Sequence, residues 1–143
     1  MSKSIILATL LSTTLLAASF APVAHAEKTL YEQIGGEPVL RKTVEEFVVI
    51  MEDDDRINFA FGNTDITKFK QLLFEQLCNV TGGPCEYTGR SMEESHRELA
   101  IDNAMFNALA EDVYLAFDRV GVPYRLQNKV MAIFAPMQKD MVK

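Results

Sequence analysis

The stretch GGPCEYTGRSMEESHREL, residues 82–99, decides the fold. Gly82-Gly83-Pro84 stops whatever helix precedes it, because glycine accepts the left-handed conformation that ends a helix and proline cannot continue one. Tyr87-Thr88-Gly89 carries the chain on as a loop. Ser91-Met92-Glu93-Glu94 then reads as a capping box, in which Ser91 and Glu94 each satisfy the other's orphan main-chain N–H. The short helix that starts there carries His96. A stop, a loop and a capped start are the punctuation of a helical protein.

Both flanks repeat at helical spacing. Upstream, Asn63-Thr64-Asp65 offers N-cap oxygens, and Ile66, Phe69, Leu73, Leu77 and Val80 follow on one face at steps of three and four. Further back, a short segment Leu30 to Ile34 ends at Gly35-Gly36. Pro38 then opens a helix running to about Glu52, with Leu40, Val44, Phe47, Val48 and Met51 inward. Ile57, Phe59 and Phe61 lie in the connecting piece. Downstream, Asp102 caps a helix with the stripe Phe106, Leu109, Val113, Phe117 and Val120, which Gly121 and Pro123 end. The last helix shows Leu126, Val130, Ile133, Phe134 and Met141, and Pro136 inside it should kink it or remove a hydrogen bond. The expectation is an all-α fold of four substantial helices and one very short one, with no internal repeat and no useful β-alternation.

Residues 1–26 read as a secretory signal. Lys3 is the positive n-region, Ile5 to Ala18 the apolar core, and Ala24-His25-Ala26 a small-residue cleavage site, so cleavage is expected after Ala26. That run is short and mixed for a membrane span, which needs about 20 predominantly apolar residues; an uncleaved anchor is the alternative. The reading implies a periplasmic protein with no stable membrane insertion once the signal is removed, whose residues 27–143 form one domain. The full chain carries −6, and loss of Lys3 leaves the remainder one unit more negative. Such a charge argues against nucleic acid as a partner.

Cys78 and Cys85 are an even pair at short spacing, and an oxidising compartment makes them a candidate disulfide worth about 2.5 kcal/mol by chain entropy. Two free thiols are the alternative. Their spacing suits neither covalent haem attachment nor a thioredoxin-like motif. The run Glu52-Asp53-Asp54-Asp55 lacks the glycine and distant glutamate of a calcium loop and reads as a solvated helix boundary. His96 is the sole histidine of residues 27–143. Imidazole is the usual protein ligand to haem iron, with its second nitrogen bonded to an acceptor such as the carbonyl of Met92, one turn earlier. By periodicity alone an ordinary surface or partly buried histidine is the favoured reading.

Taken together, Leu30-Tyr31-Glu32-Gln33-Ile34-Gly35-Gly36, Phe59 to Phe61, Gly82-Gly83-Pro84, Tyr87-Thr88-Gly89, Ser91 to Leu99, Gly121-Val122-Pro123 and Ala135-Pro136-Met137 resemble the group I truncated haemoglobins. The resemblance covers nearly all of residues 27–143 in one order. It implies a shortened globin, a two-over-two helical sandwich around haem b. His96 would be the proximal iron ligand and Phe61 would pack on the haem edge, with Met92 and Tyr87 also among the haem-binding residues. The better-known members place tyrosine after a phenylalanine in the helix following the first glycine pair, where this chain has Val48 after Phe47. They also carry glutamine on the next helix, where this chain has Phe69 and Leu73.

The distal side therefore reads as apolar, with Gln76 and Tyr87 the polar residues that could complicate it. Dioxygen on iron gathers negative charge and is held by a hydrogen-bond donor, whereas carbon monoxide and nitric oxide depend less on one. The expectation is weak or oxidation-prone oxygen binding with carbon monoxide binding retained. Met51 is a remote candidate for a sixth ligand and a better core residue. The function implied is reversible binding of a diatomic gas, with a periplasmic electron donor as a further partner. Two alternatives stand beside it: nitric oxide dioxygenation or peroxidase-like turnover by the same haem, and a cofactor-free helical interaction module.

Overall fold

The structure of the protein is a computed structural model that describes residues 27–143, and all regular structure among them is helical. The expected signal, His25 included, lies outside the described residues. Thr29 opens α1 (Leu30–Ile34) with a reciprocal cap: its hydroxyl accepts from the Glu32 N–H at 3.2 Å, and the Glu32 carboxylate accepts from the Thr29 N–H at 2.9 Å. Gly35 ends α1 and begins α2 (Gly36–Asp53) at φ 118°, a conformation that side chains resist. A Cβ there would also press on Val39. α2 thus starts two residues before Pro38, because the glycine pair turns the corner, with Gly36 also at positive φ, 69°.

The acidic run closes α2 as a solvated boundary, with Asp54 accepting from both the main chain and the guanidinium of Arg56. No cluster able to hold a metal exists among the described residues. A 3-10 turn (Asn58–Phe61) leads to α3 (Ile66–Val80), whose N-cap Asp65 accepts from the Lys68 N–H at 3.0 Å. α4 (Met92–His96) is one turn long, α5 (Asn103–Arg119) begins on the Asp102 cap, and α6 (Tyr124–Phe134) follows. The expected continuous last helix is interrupted. Pro136 lacks an N–H, so Ala135–Met137 tightens into a 3-10 turn before the short α7 (Gln138–Met141).

α2 packs on both α3 and α5, α6 packs on α5 and α1, and α4 rests on α7. This is the two-over-two sandwich expected from the sequence. Two apolar clusters form. One gathers Leu40, Val44, Phe74, Leu77, Phe117, Leu126 and Val130 around α2, α3, α5 and α6. The other gathers Phe47, Val48, Met51, Ile57, Ala108 and Ala116 between α2 and α5. Leu73 and Val113 border both. No described helix is long and apolar enough to cross a membrane.

Candidate functional site

Between α3, α4, α5 and the C-terminal turns lies a cavity of about 650 Å³, within the size range of small-molecule sites. α3 lines it with Phe69, Leu72 and Leu73, α5 with Phe106, Leu109 and Val113, and the C-terminal segment with Phe134, Met137 and Met141. Charged side chains enter at Asp65 and Lys68 at the start of α3 and at Arg90 in the loop before α4. The site is a largely apolar slot to which Lys68 and Arg90 bring positive charge.

His96 is half-buried on the wall. Its Nδ1 lies 2.7 Å from the Met92 carbonyl oxygen. A carbonyl only accepts, so Nδ1 carries the proton and Nε2 keeps its lone pair. The turn that places this ring is held by its own cap: Ser91 Oγ accepts from the Glu94 N–H at 3.2 Å, and Glu94 Oε2 accepts from the Ser91 N–H at 3.1 Å. Tyr87 also lines the slot, its hydroxyl donating to the Arg90 carbonyl at 2.8 Å. Its ring folds over Gly89, where any Cβ would collide with it. Burial first, and then the Glu75 charge, push the Tyr87 phenol above its ordinary pKa, so it stays neutral.

The structure brings six of the seven residues singled out from the sequence to the cavity: His96, Phe61, Phe69, Leu73, Met92 and Tyr87. Phe61 meets Phe69 edge-on at 5.4 Å between ring centres. Val48 is the exception. It is buried in the second cluster, and its neighbour Phe47 reaches the cavity instead, because one residue along a helix turns the side chain by about 100°. Met51, fully buried in the same cluster, does not line the cavity either. Gln76 does line it, with its amide N–H directed at the Met92 sulfur, 3.3 Å away.

Sequence reasoning assigned Phe106, Leu109, Val113 and Met141 to the apolar stripes of their helices and gave Lys68, Arg90 and Met137 no place in a site. A side chain facing a cavity obeys the same 3.6 period as one facing a neighbouring helix, so the α5 residues carry no separate signal. Lys68 and Arg90 would have shown only through the pairing of the start of α3 with the loop before α4.

The chain matches the bacterial-like globin family over residues 29–143. It is 34% identical over 116 residues to the group 1 truncated haemoglobin GlbN of Synechocystis, covering 78% of this chain and 94% of that protein. It is 29% identical over 115 residues to the group 1 truncated haemoglobin of Tetrahymena pyriformis, covering 80% and 95%. The crystal structure of the Tetrahymena pyriformis truncated haemoglobin in its Fe(III) form superposes with a TM-score of 0.78, covering 80% of this chain and 98% of that one. The 2/2 haemoglobin from Synechococcus, in the cyanomet state with covalently attached haem, gives 0.72 at 31% identity, covering 78% and 94%.

Proposed function

We infer function from one premise: this chain belongs to the bacterial-like globin family, among the group 1 truncated haemoglobins. The reading is a haem b protein that binds a diatomic gas, with His96 as the protein ligand to the iron. The observation that carries it is the His96 imidazole with Nδ1 tied to the Met92 carbonyl, leaving a basic nitrogen free on the wall of an apolar slot of about 650 Å³. Haem iron takes such a nitrogen as its ligand, with the ring oriented by the hydrogen bond of its other nitrogen.

The rest of the wall fits the same group. Phe61, Phe69, Leu73, Leu109 and Val113 match the apolar faces of a porphyrin, and Lys68 and Arg90 suit its two carboxylates. When bound, the haem supplies an iron coordination position for the gas. The chain's part is to hold the imidazole, exclude water and set the polarity beside that position. Phe47, Phe69, Leu72 and Leu73 donate no hydrogen bond, and the Gln76 amide is engaged with the Met92 sulfur. A ligand that gathers negative charge is therefore held weakly, and carbon monoxide is not disfavoured.

With residues 1–26 read as an export signal, the globin would work in the periplasm, where any electron donor would be another exported protein. The test is a titration of the haem-free protein with haemin. A saturable Soret band at one equivalent that His96→Ala loses, with helical circular dichroism unchanged, supports the reading. Absence of saturable uptake, or uptake indifferent to His96, overturns it.

A further inference from the structure

α3 and α4 both line the cavity, and the Gln76 amide donates across to the Met92 sulfur, 3.3 Å away. Sulfur is a weak acceptor, so the joining segment is left to fix their separation, and residues 84–90 make no main-chain to main-chain hydrogen bond among the described residues. Side chains from one strip of α3 hold this segment instead. Glu75 Oε2 accepts from the Thr88 N–H at 3.1 Å and from the Thr88 hydroxyl at 2.7 Å. Asn79 Nδ2 donates to the Cys85 carbonyl at 3.0 Å, and Cys78 is joined to Cys85 by a disulfide. Positions 75, 78 and 79 lie three and four residues apart, on one helical face. Within three residues of this anchorage, Tyr87, Thr88, Gly89 and Arg90 line the cavity, and Ser91 caps the helix of His96.

The two polar anchors are exposed and exchangeable with water, whereas the covalent one is not. Cys78 is fully buried in the first cluster, so the bond, once formed, is shielded at one sulfur from attack. That favours a closing step in maturation over a bond that is cycled. We propose, building on the haem reading above, that closure of Cys78–Cys85 fixes the α4 wall of the cavity, so that a thiol–disulfide exchange must precede tight retention of haem. In that reaction the two thiols give up two electrons and two protons to a disulfide oxidant. The oxidant's S–S bond breaks into two thiols as the Sγ–Sγ bond forms. The reaction class that prepares this protein for its cofactor is therefore a dithiol oxidation.

The test follows haemin passing from the full chain to excess apomyoglobin. The disulfide form is compared with the dithiothreitol-reduced form and with the Cys78→Ser/Cys85→Ser protein. Haemin loss at least about tenfold faster from both sulfur-open forms, with helical circular dichroism retained, is the expected result. Equal rates in the open and closed forms overturn the proposal. Should the open forms lose helicity, Cys85→Ala decides, since it opens the bond while leaving the buried Cys78 in its cluster. Haemin loss several-fold faster than in the parent protein is expected, and an unchanged rate counts against it. A parent protein that takes up no haemin at all refutes the haem reading itself, and this inference falls with it.

Discussion

His96 Nδ1 and the Met92 carbonyl oxygen, one helical turn apart, are 2.7 Å from each other, so the ring that faces the cavity is oriented by the backbone of its own five-residue helix. The imidazole can be removed without disturbing that backbone. His96→Gly should fold, lose haemin by at least about tenfold in affinity, and regain a Soret band when free imidazole is added. Absorbance titration with and without imidazole checks this; full haemin affinity in the variant would refute it.

Because α4 is too short to be stable by itself, its cap matters more than a cap usually does. Ser91→Ala removes the acceptor for the Glu94 N–H, at a cost of about 1 kcal/mol. If that cost falls on the haem-bound arrangement, haemin affinity drops about fivefold. Ser91→Thr keeps the acceptor and should restore it, as competition with apomyoglobin will report.

On the proposed haem reading, side chains on α3 set the polarity beside the iron. Leu73→Gln places a hydrogen-bond donor where the wall is apolar. The ferrous oxygen complex should then oxidise several-fold more slowly, while carbon monoxide affinity changes little. Stopped-flow measurement of both gases on parent and variant separates the two effects, and equal slowing of both would contradict the reasoning.

Asp112 is a buried carboxylate on α5 whose Oδ2 has no partner. Burial above all, and then the Asp54 charge, raise its pKa from 3.8 to about 6, although Arg56 stands 3.8 Å away. The folded state therefore binds this proton more tightly than the unfolded chain does. The stability it gives is complete below about pH 4 and is lost as pH rises through 6. Asp112→Asn should be more stable than the parent at pH 8 by about 1–2 kcal/mol, a few degrees in Tm, with the difference vanishing near pH 4. Glu75 and Glu94, whose pKa values are lowered by hydrogen bonds that do not involve Asp112, act in the opposite sense in both proteins and cancel in the comparison. Parallel Tm profiles for the two proteins would dismiss the effect.

The helices were legible in the sequence because their punctuation is chemical: the Ser91–Glu94 box, the Asp65 and Asp102 caps and the Gly82 stop all appear in the structure. Where local rules compete, boundaries moved. Gly35 started α2 ahead of Pro38, and Pro136 divided the last helix instead of bending it. In the site, Phe69 and Leu73 were readable from their face of α3, and His96 only through the resemblance to the group I truncated haemoglobins. Val48 was misplaced because positions 47 and 48 both count as inward on a broad stripe, and only packing decides which one meets the cavity. Met141 was readable as apolar but not as facing a cavity, and Met137 was hidden in the 3-10 turn that breaks the period. Lys143 holds that segment, donating its main-chain N–H to the Ile101 carbonyl and its ammonium to the Arg97 carbonyl.

Leu73 and Val113 touch both apolar clusters and also face the cavity. Whatever fills that space is thus the keystone between two half-cores, and its presence governs how cooperatively the molecule melts. Filled, the halves should unfold in one sharp calorimetric transition; empty, the second cluster should loosen first and blur the onset.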